Sequence, residues 1–154
     1  KYLQRTSRTN GHAPMQWNSG LHAGFTTGTP WLKINPNYKE VNVEMQEKDK
    51  NSTLNFYKKA LKLRQKDSVL DLVLNTPFEI IEEEHEDVFA YIHQKDQKGL
   101  MVIANFRDYE VSFKSPYLEQ IEKVLLGNYR KLEIIDQTLV LPPFGAIVVE
   151  INNG

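Results

Sequence analysis

The densest set of hydrogen-bonding side chains in this sequence lies at residues 7–17. Ser7, Arg8, Thr9, Asn10, His12 and Gln16 stand there beside Pro14, Met15 and Trp17. Planar donors such as Arg and Gln fix hydroxyl groups, and an indole face covers the C–H side of a pyranose ring, so this is the ordinary equipment of a sugar site. The same residues would equally make a tight loop whose Trp17 fills a gap in a core. Residue type alone leaves both open.

Other chemistries fit worse. His12 and His22 are ten residues apart in a loop, and His85 and His93 fall on opposite sides of an expected strand, so no pair has the i, i+4 spacing of a helical zinc site. No metal and no cofactor is expected. The acidic run Glu82, Glu83, Glu84, Glu86 and Asp87, interrupted by His85, sits where a hairpin turn is expected, as do Asp108 and Asp136; water screens carboxylates in such places. Ser7 has His12 nearby, but a nucleophilic triad is assembled in space and not along the chain. Neither a phosphate-cradling glycine loop nor a nucleophile elbow is present.

The elements that must position these groups fall into three textures. Residues 1–50 hold Gly11, Gly20, Gly24 and Gly28 with Pro14, Pro30 and Pro36, the punctuation of loops. They also carry Trp17, Phe25, Trp31 and Tyr38, which are costly to leave in water, so this segment is expected to lie against a larger platform. Residues 51–66 predict a helix: Asn51 or Ser52 caps it, while Leu54, Tyr57 and Leu61, widened by Phe56, Ala60 and Leu63, form an apolar face. From residue 68 the period becomes two, with short strands expected at 78–82, 88–92, 100–106, 110–113, 121–126, 132–135, 138–141 and 146–151. Residues 94–99 read as a hairpin connection, and 100–106, apolar but for Asn105, is placed centrally, buried on both faces. Eight short strands separated by polar turns predict an antiparallel β-sandwich.

A net charge of -1 over 154 residues offers no basic field for nucleic acid or an anionic membrane. No apolar run approaches the roughly 20 residues that span a bilayer. The chain has no cysteine, which excludes disulfides and fits a cytoplasmic protein. Residue 1 is not Met, and the chain is expected to begin partway through a longer polypeptide.

Residues 7–18 resemble a motif of the α-amylase superfamily, S-R-D-N-x-R-T-P-M-Q-W-[DNS], found in the branch of oligo-1,6-glucosidases and trehalose-6-phosphate hydrolases. The match is at Ser7, Arg8, Asn10, Pro14, Met15, Gln16, Trp17 and Asn18. The resemblance continues through residues 23–28, Pro30, Trp31 and residues 35–43 into the helix at 55–64. It covers nearly the whole chain, because 88–91, 100–106 and 141–146 are similar to strands of the family's C-terminal domain.

The resemblance implies that residues 1–67 are the last βα loop and last helix of a (β/α)8 barrel, and that residues 68–154 are the antiparallel domain after it. It implies a retaining exo-α-glucosidase acting on short oligosaccharides such as isomaltose, or on a phosphorylated disaccharide. The nucleophile and the acid/base carboxyl would stand on barrel strands preceding residue 1 in the same polypeptide. Arg8 and His12 are the substrate-binding candidates it places here, with no catalytic residue among the 154. Two departures from the motif matter: Thr9 replaces Asp, and His12 replaces the Arg expected at the innermost glucosyl unit. A neutral histidine offers one donor where arginine offers five. These departures also fit a non-catalytic relative that keeps the fold as a binding subunit. Sugar binding by 68–154 alone finds no support in an exposed Trp or Tyr cluster.

Overall fold

A computed structural model describes residues 12–82, 84–129 and 133–152. The chain divides into two compact units, with the boundary between Lys58 and Lys59.

In the first unit, irregular chain leads into a short helix α1 (Val43–Lys48) and then α2 (Thr53–Arg64), whose second half belongs to the second unit. Asn42 is buried and caps α1: its Oδ1 accepts from Met45 N at 2.9 Å, while its Nδ2 donates to Tyr38 O at 2.8 Å. Ser52, not Asn51, caps α2, its Oγ accepting from Asn55 N at 3.2 Å. Asn55 Nδ2 donates to Gln46 O and Asp49 O, both at 2.8 Å, so the α1–α2 turn is held from inside α2. Of the expected apolar face, Tyr57 and Leu61 are exposed, while Leu63 is buried.

The second unit is the antiparallel β-sandwich. One sheet has the order β1-β2-β3-β8-β5, formed by β1 (Phe78–Ile81), β2 (Val88–Lys95), β3 (Lys98–Asn105), β8 (Ala146–Asn152) and β5 (Ile121–Gly127). The other has the order β4-β7-β6, formed by β4 (Val111–Lys114), β7 (Thr138–Leu141) and β6 (Ile134–Ile135). Each strand that was expected is present. β3 is the central strand of five, and Leu100 to Asn105 in it are buried or half-buried, while Phe106, expected in the same buried run, lies past the strand end and is exposed. Alternation sets the inward faces: Ile147, Val149 and Ile151 of β8 join Ala90, Ile92, Met101 and Ile103 against Phe113, Leu139 and Leu141 of the second sheet.

One element differs from expectation. Residues 67–75 form a helix, α3 (Asp67–Asn75), where the two-residue period was expected to begin. Val69, Leu72 and Val73 are spaced i, i+3, i+4 and pack with Leu63, Leu100, Leu126 and Val148 on the outer face of the five-stranded sheet. Burial of that stripe decides for helix. The rest of the outer face carries rings: Phe78 and Tyr91 meet edge to face at 5.8 Å, Phe89 and Tyr91 at 5.6 Å, and Phe78, Ile80 and Phe89 stay exposed.

The acidic turn at 82–87 is solvated at Glu82, Glu84 and Glu86, but His85 and Asp87 are structural. His85 Nδ1 accepts from Asp87 N and Val88 N at 3.3 and 3.2 Å, so the ring proton sits on Nε2 and is donated to Ser112 O at 3.2 Å. Asp87 accepts from Arg107 Nε at 2.6 Å and from Tyr109 Oη at 3.2 Å. The Arg107 bond holds the Asp87 carboxyl below its ordinary value, with Tyr109 adding to it. A carboxyl depressed in the folded state stabilises above the ordinary value of about 4, and that contribution is lost as pH falls through the lower folded value. Urea midpoints are therefore expected to fall between about pH 5 and pH 2, and Asp87→Asn is expected to flatten part of that slope.

Candidate functional site

The loop that carries the sugar-site candidates is irregular but firmly held. Trp17 N and Asn18 N both donate to Ala23 O, at 2.9 and 3.1 Å. On the other side, Val43 N donates to Gln16 O and Glu44 N to Trp17 O, each at 3.0 Å. Gln16 Nε2 donates to Val41 O at 2.6 Å and to Asn37 Oδ1 at 3.0 Å. The Gln16–Trp17 backbone is thus clamped between the turn at 21–24 and the start of α1, its groups satisfied without a strand.

That turn is left-handed over three residues: φ is 53° at His22, 58° at Ala23 and 67° at Gly24. For His and Ala this conformation costs roughly 1–2 kcal/mol each. It persists because Ala23 is fully buried and its carbonyl receives the two amides of Trp17 and Asn18. Strain of this kind gathers at functional loops. Gly24 also leaves no room, since a Cβ there would lie 2.4 Å from Asn18 Nδ2. Gly24→Ala is therefore expected to cost about 1–2 kcal/mol locally, speeding amide exchange at Trp17 by roughly 5- to 30-fold. Unchanged exchange at Trp17 would show that the turn does not hold the loop.

The rings in this loop face outward: Trp17 is 49% exposed, Phe25 47% and Trp31 88%. Trp31 lines an open hollow of about 440 Å³ with His22, Pro30, Lys33 and Tyr38. An indole, a phenol ring and an ammonium lining one hollow can cover a sugar face and donate to its hydroxyls. A second hollow, about 580 Å³, is walled by Pro14, Met15, Val43, Leu54 and Tyr57 and is mostly apolar.

His12, the substrate-binding candidate within the described residues, is exposed at the start of the loop. Arg8 and Asn10 lie outside the described residues. The left-handed turn and the Trp31–Lys33–Tyr38 hollow went unnoticed in the residue pattern; Gly24 was the one signal of the first, and the aromatic spacing of the second. Among the described residues no aspartate or glutamate is buried, and no three His, Cys, Asp or Glu side chains converge as a metal site.

Comparison with known proteins places this loop. Residues 1–72 match the family described as "Alpha amylase, catalytic domain", and residues 88–148 match "Alpha-amylase SusG C-terminal domain". Oligo-1,6-glucosidase of Bacillus cereus is 36% identical over 149 residues, an alignment covering 94% of this chain and 26% of that protein.

The chain belongs to the α-amylase superfamily.

Trehalose-6-phosphate hydrolase of Bacillus subtilis (strain 168) is 35% identical over 154 residues, covering 97% of this chain and 27% of that protein. The crystal structure of Bacillus licheniformis trehalose-6-phosphate hydrolase superimposes with a TM-score of 0.85 at 34% identity, over 97% of this chain and 27% of that one. This α-amylase-superfamily chain spans about a quarter of the length of the curated relatives it matches. Its sandwich is the family's C-terminal β domain, and the loop at 12–42 with α1 and α2 falls in the stretch that matches the catalytic domain.

Proposed function

We propose that this chain is the end of a retaining exo-α-glucosidase hydrolysing the α-glucosidic bonds of short oligosaccharides such as isomaltose. Residues 1–67 would close the catalytic barrel and residues 68–154 would form the domain after it. The observation that carries this is the similarity to oligo-1,6-glucosidase, which extends over 94% of the chain at 36% identity.

Retention requires two carboxyl groups about 5–5.5 Å apart, one attacking the anomeric carbon and the other protonating the leaving oxygen. Those groups belong to barrel strands of the full-length protein. This chain would contribute sugar contacts: Arg8 as a charged donor, His12 as a single donor near the innermost glucosyl unit, and the clamped Trp17 loop as the frame that holds both at their places. Cytoplasmic action without a cofactor fits the composition.

A second reading takes trehalose 6-phosphate as substrate, favoured by the 35% identity to the B. subtilis hydrolase. The full-length protein should be assayed on isomaltose, trehalose 6-phosphate and p-nitrophenyl α-glucoside, beside the 154-residue chain alone. Cleavage by the former and none by the latter is expected, and the best substrate separates the two readings. Failure on all three substrates would overturn the assignment in favour of a non-catalytic relative. In an active protein His12→Arg is expected to raise kcat/KM about tenfold, as one charge-assisted hydrogen bond would supply.

A further inference from the structure

The β-sandwich unit carries a groove that has no part in the glucosidase assignment. It measures about 520 Å³, within the range of pockets that hold small organic molecules. Its floor is hydrocarbon: Val69 and Leu72 of α3, Leu100 of β3 and Leu125 of β5. Leu125 reaches it through an irregularity in β5. The register against β8 shifts between Val124 and Leu126, so the consecutive residues Leu125 and Leu126 both pack on the Leu63–Val69–Leu100 cluster, which neighbours in a regular strand cannot do.

The rim is basic on several sides. Lys66 precedes α3, Lys95 and Lys98 flank the β2–β3 turn, and Lys123 stands on β5. Lys95 is spoken for, donating to Asp71 Oδ2 at 2.9 Å. That hydrogen bond leads the causes that hold the Asp71 carboxyl low and the Lys95 ammonium high, so the pair is neutralised within the fold. Lys66, Lys98 and Lys123 make no ion pair among the described residues, and they face two remaining carboxylates, Asp96 and Glu150. Set against Asp96 and against Glu150, which stands across from Lys123 in the β5–β8 register, the three ammonium groups leave an excess of one positive charge over a hydrocarbon floor, which favours a ligand with an apolar body and one anionic end.

We propose that this groove binds a small organic anion, an aliphatic or aryl carboxylate or sulfonate, with its hydrocarbon on Leu72, Leu100 and Leu125 and its charge between Lys98 and Lys123. The groove lies wholly within residues 59–154 and uses no catalytic group, so it stands or falls separately from the enzymatic assignment.

The test uses the whole chain with 8-anilinonaphthalene-1-sulfonate as the fluorescent probe. Octanoate is expected to displace it at least about tenfold better than 1-octanol, with inorganic phosphate ineffective. The double variant Lys98→Gln/Lys123→Gln changes two exposed residues, and its far-UV circular dichroism should match the parent; its affinity for the probe is expected to fall about tenfold or more. Amide shifts in the unaltered chain on adding octanoate should centre on residues 66–72, 95–100 and 123–126, a readout that needs no variant. Equal displacement by octanol, unchanged binding by the double variant, or shifts centred on the exposed rings Phe78, Phe89 and Tyr91 would each overturn the proposal.

Discussion

Phe113→Ala is expected to destabilise the sandwich by about 3–5 kcal/mol, the range for emptying an aromatic site in a well-packed core. Phe113 is fully buried on β4, directly opposite Leu139 of β7, and it bridges to the first sheet through the cluster containing Ile92, Met101 and Ile103. Its ring also lies 5.8 Å from that of His85, whose imidazole joins the 82–88 turn to Ser112 O. Collapse into the vacated space is opposed from both sides, because β4 is held by β7 and the facing residues belong to the paired strands β2 and β3. The measurement is urea unfolding followed by far-UV circular dichroism. Indole fluorescence would mislead, since both tryptophans, Trp17 and Trp31, lie outside the sandwich. Phe113→Leu, which keeps most of the volume, is expected to cost about 1 kcal/mol. A loss below that figure for the alanine variant would mean the two sheets do not meet at Phe113.

The second large effect is polar. Asn105 ends β3 and is 3% exposed. Its Nδ2 donates to Tyr109 O at 2.8 Å and Pro142 O at 2.9 Å, with Leu141 O at 3.4 Å, while its Oδ1 accepts from Arg107 N at 2.8 Å. One amide therefore joins the end of a strand in the first sheet, the 106–110 turn, and the end of β7 in the second sheet. Asn105→Leu removes the shared donor and acceptor and leaves the carbonyls of Tyr109, Leu141 and Pro142 without this donor, at a cost of about 2–4 kcal/mol. Asn105→Asp keeps the acceptor for Arg107 N but turns an oxygen toward Pro142 O and Tyr109 O, so a comparable loss is expected. If Asn105→Asp were as stable as the parent in urea, the donor would not matter and the assigned role would be wrong.

The strands were legible in the sequence because their chemistry repeats. β8 alternates Ile147, Val149 and Ile151 with Ala146, Val148 and Glu150, and the pleat sends one set inward whatever its partner. α2 was legible from a stripe over three turns and a capping serine. α3 was not: its nine residues carry Val69 and Val73, β-branched groups next to a strand-rich stretch, and so short a helix is marginal until its stripe is buried on Leu100.

The candidate site divides along the same line. The motif at 7–18 and its continuation along the chain pointed to the family, and the change from three-to-four to two-residue periodicity pointed to a helix followed by a sandwich. Tertiary structure alone decided that β8 enters between β3 and β5, that His22 and Ala23 take left-handed backbone, and that Lys66, Lys98 and Lys123 gather around one hydrocarbon floor. Periodicity records which face of an element is apolar. Strand order, strained turns and side chains brought together from distant elements depend on which buried surface and which hydrogen bonds outweigh local preference, and those partners lie far apart along the chain.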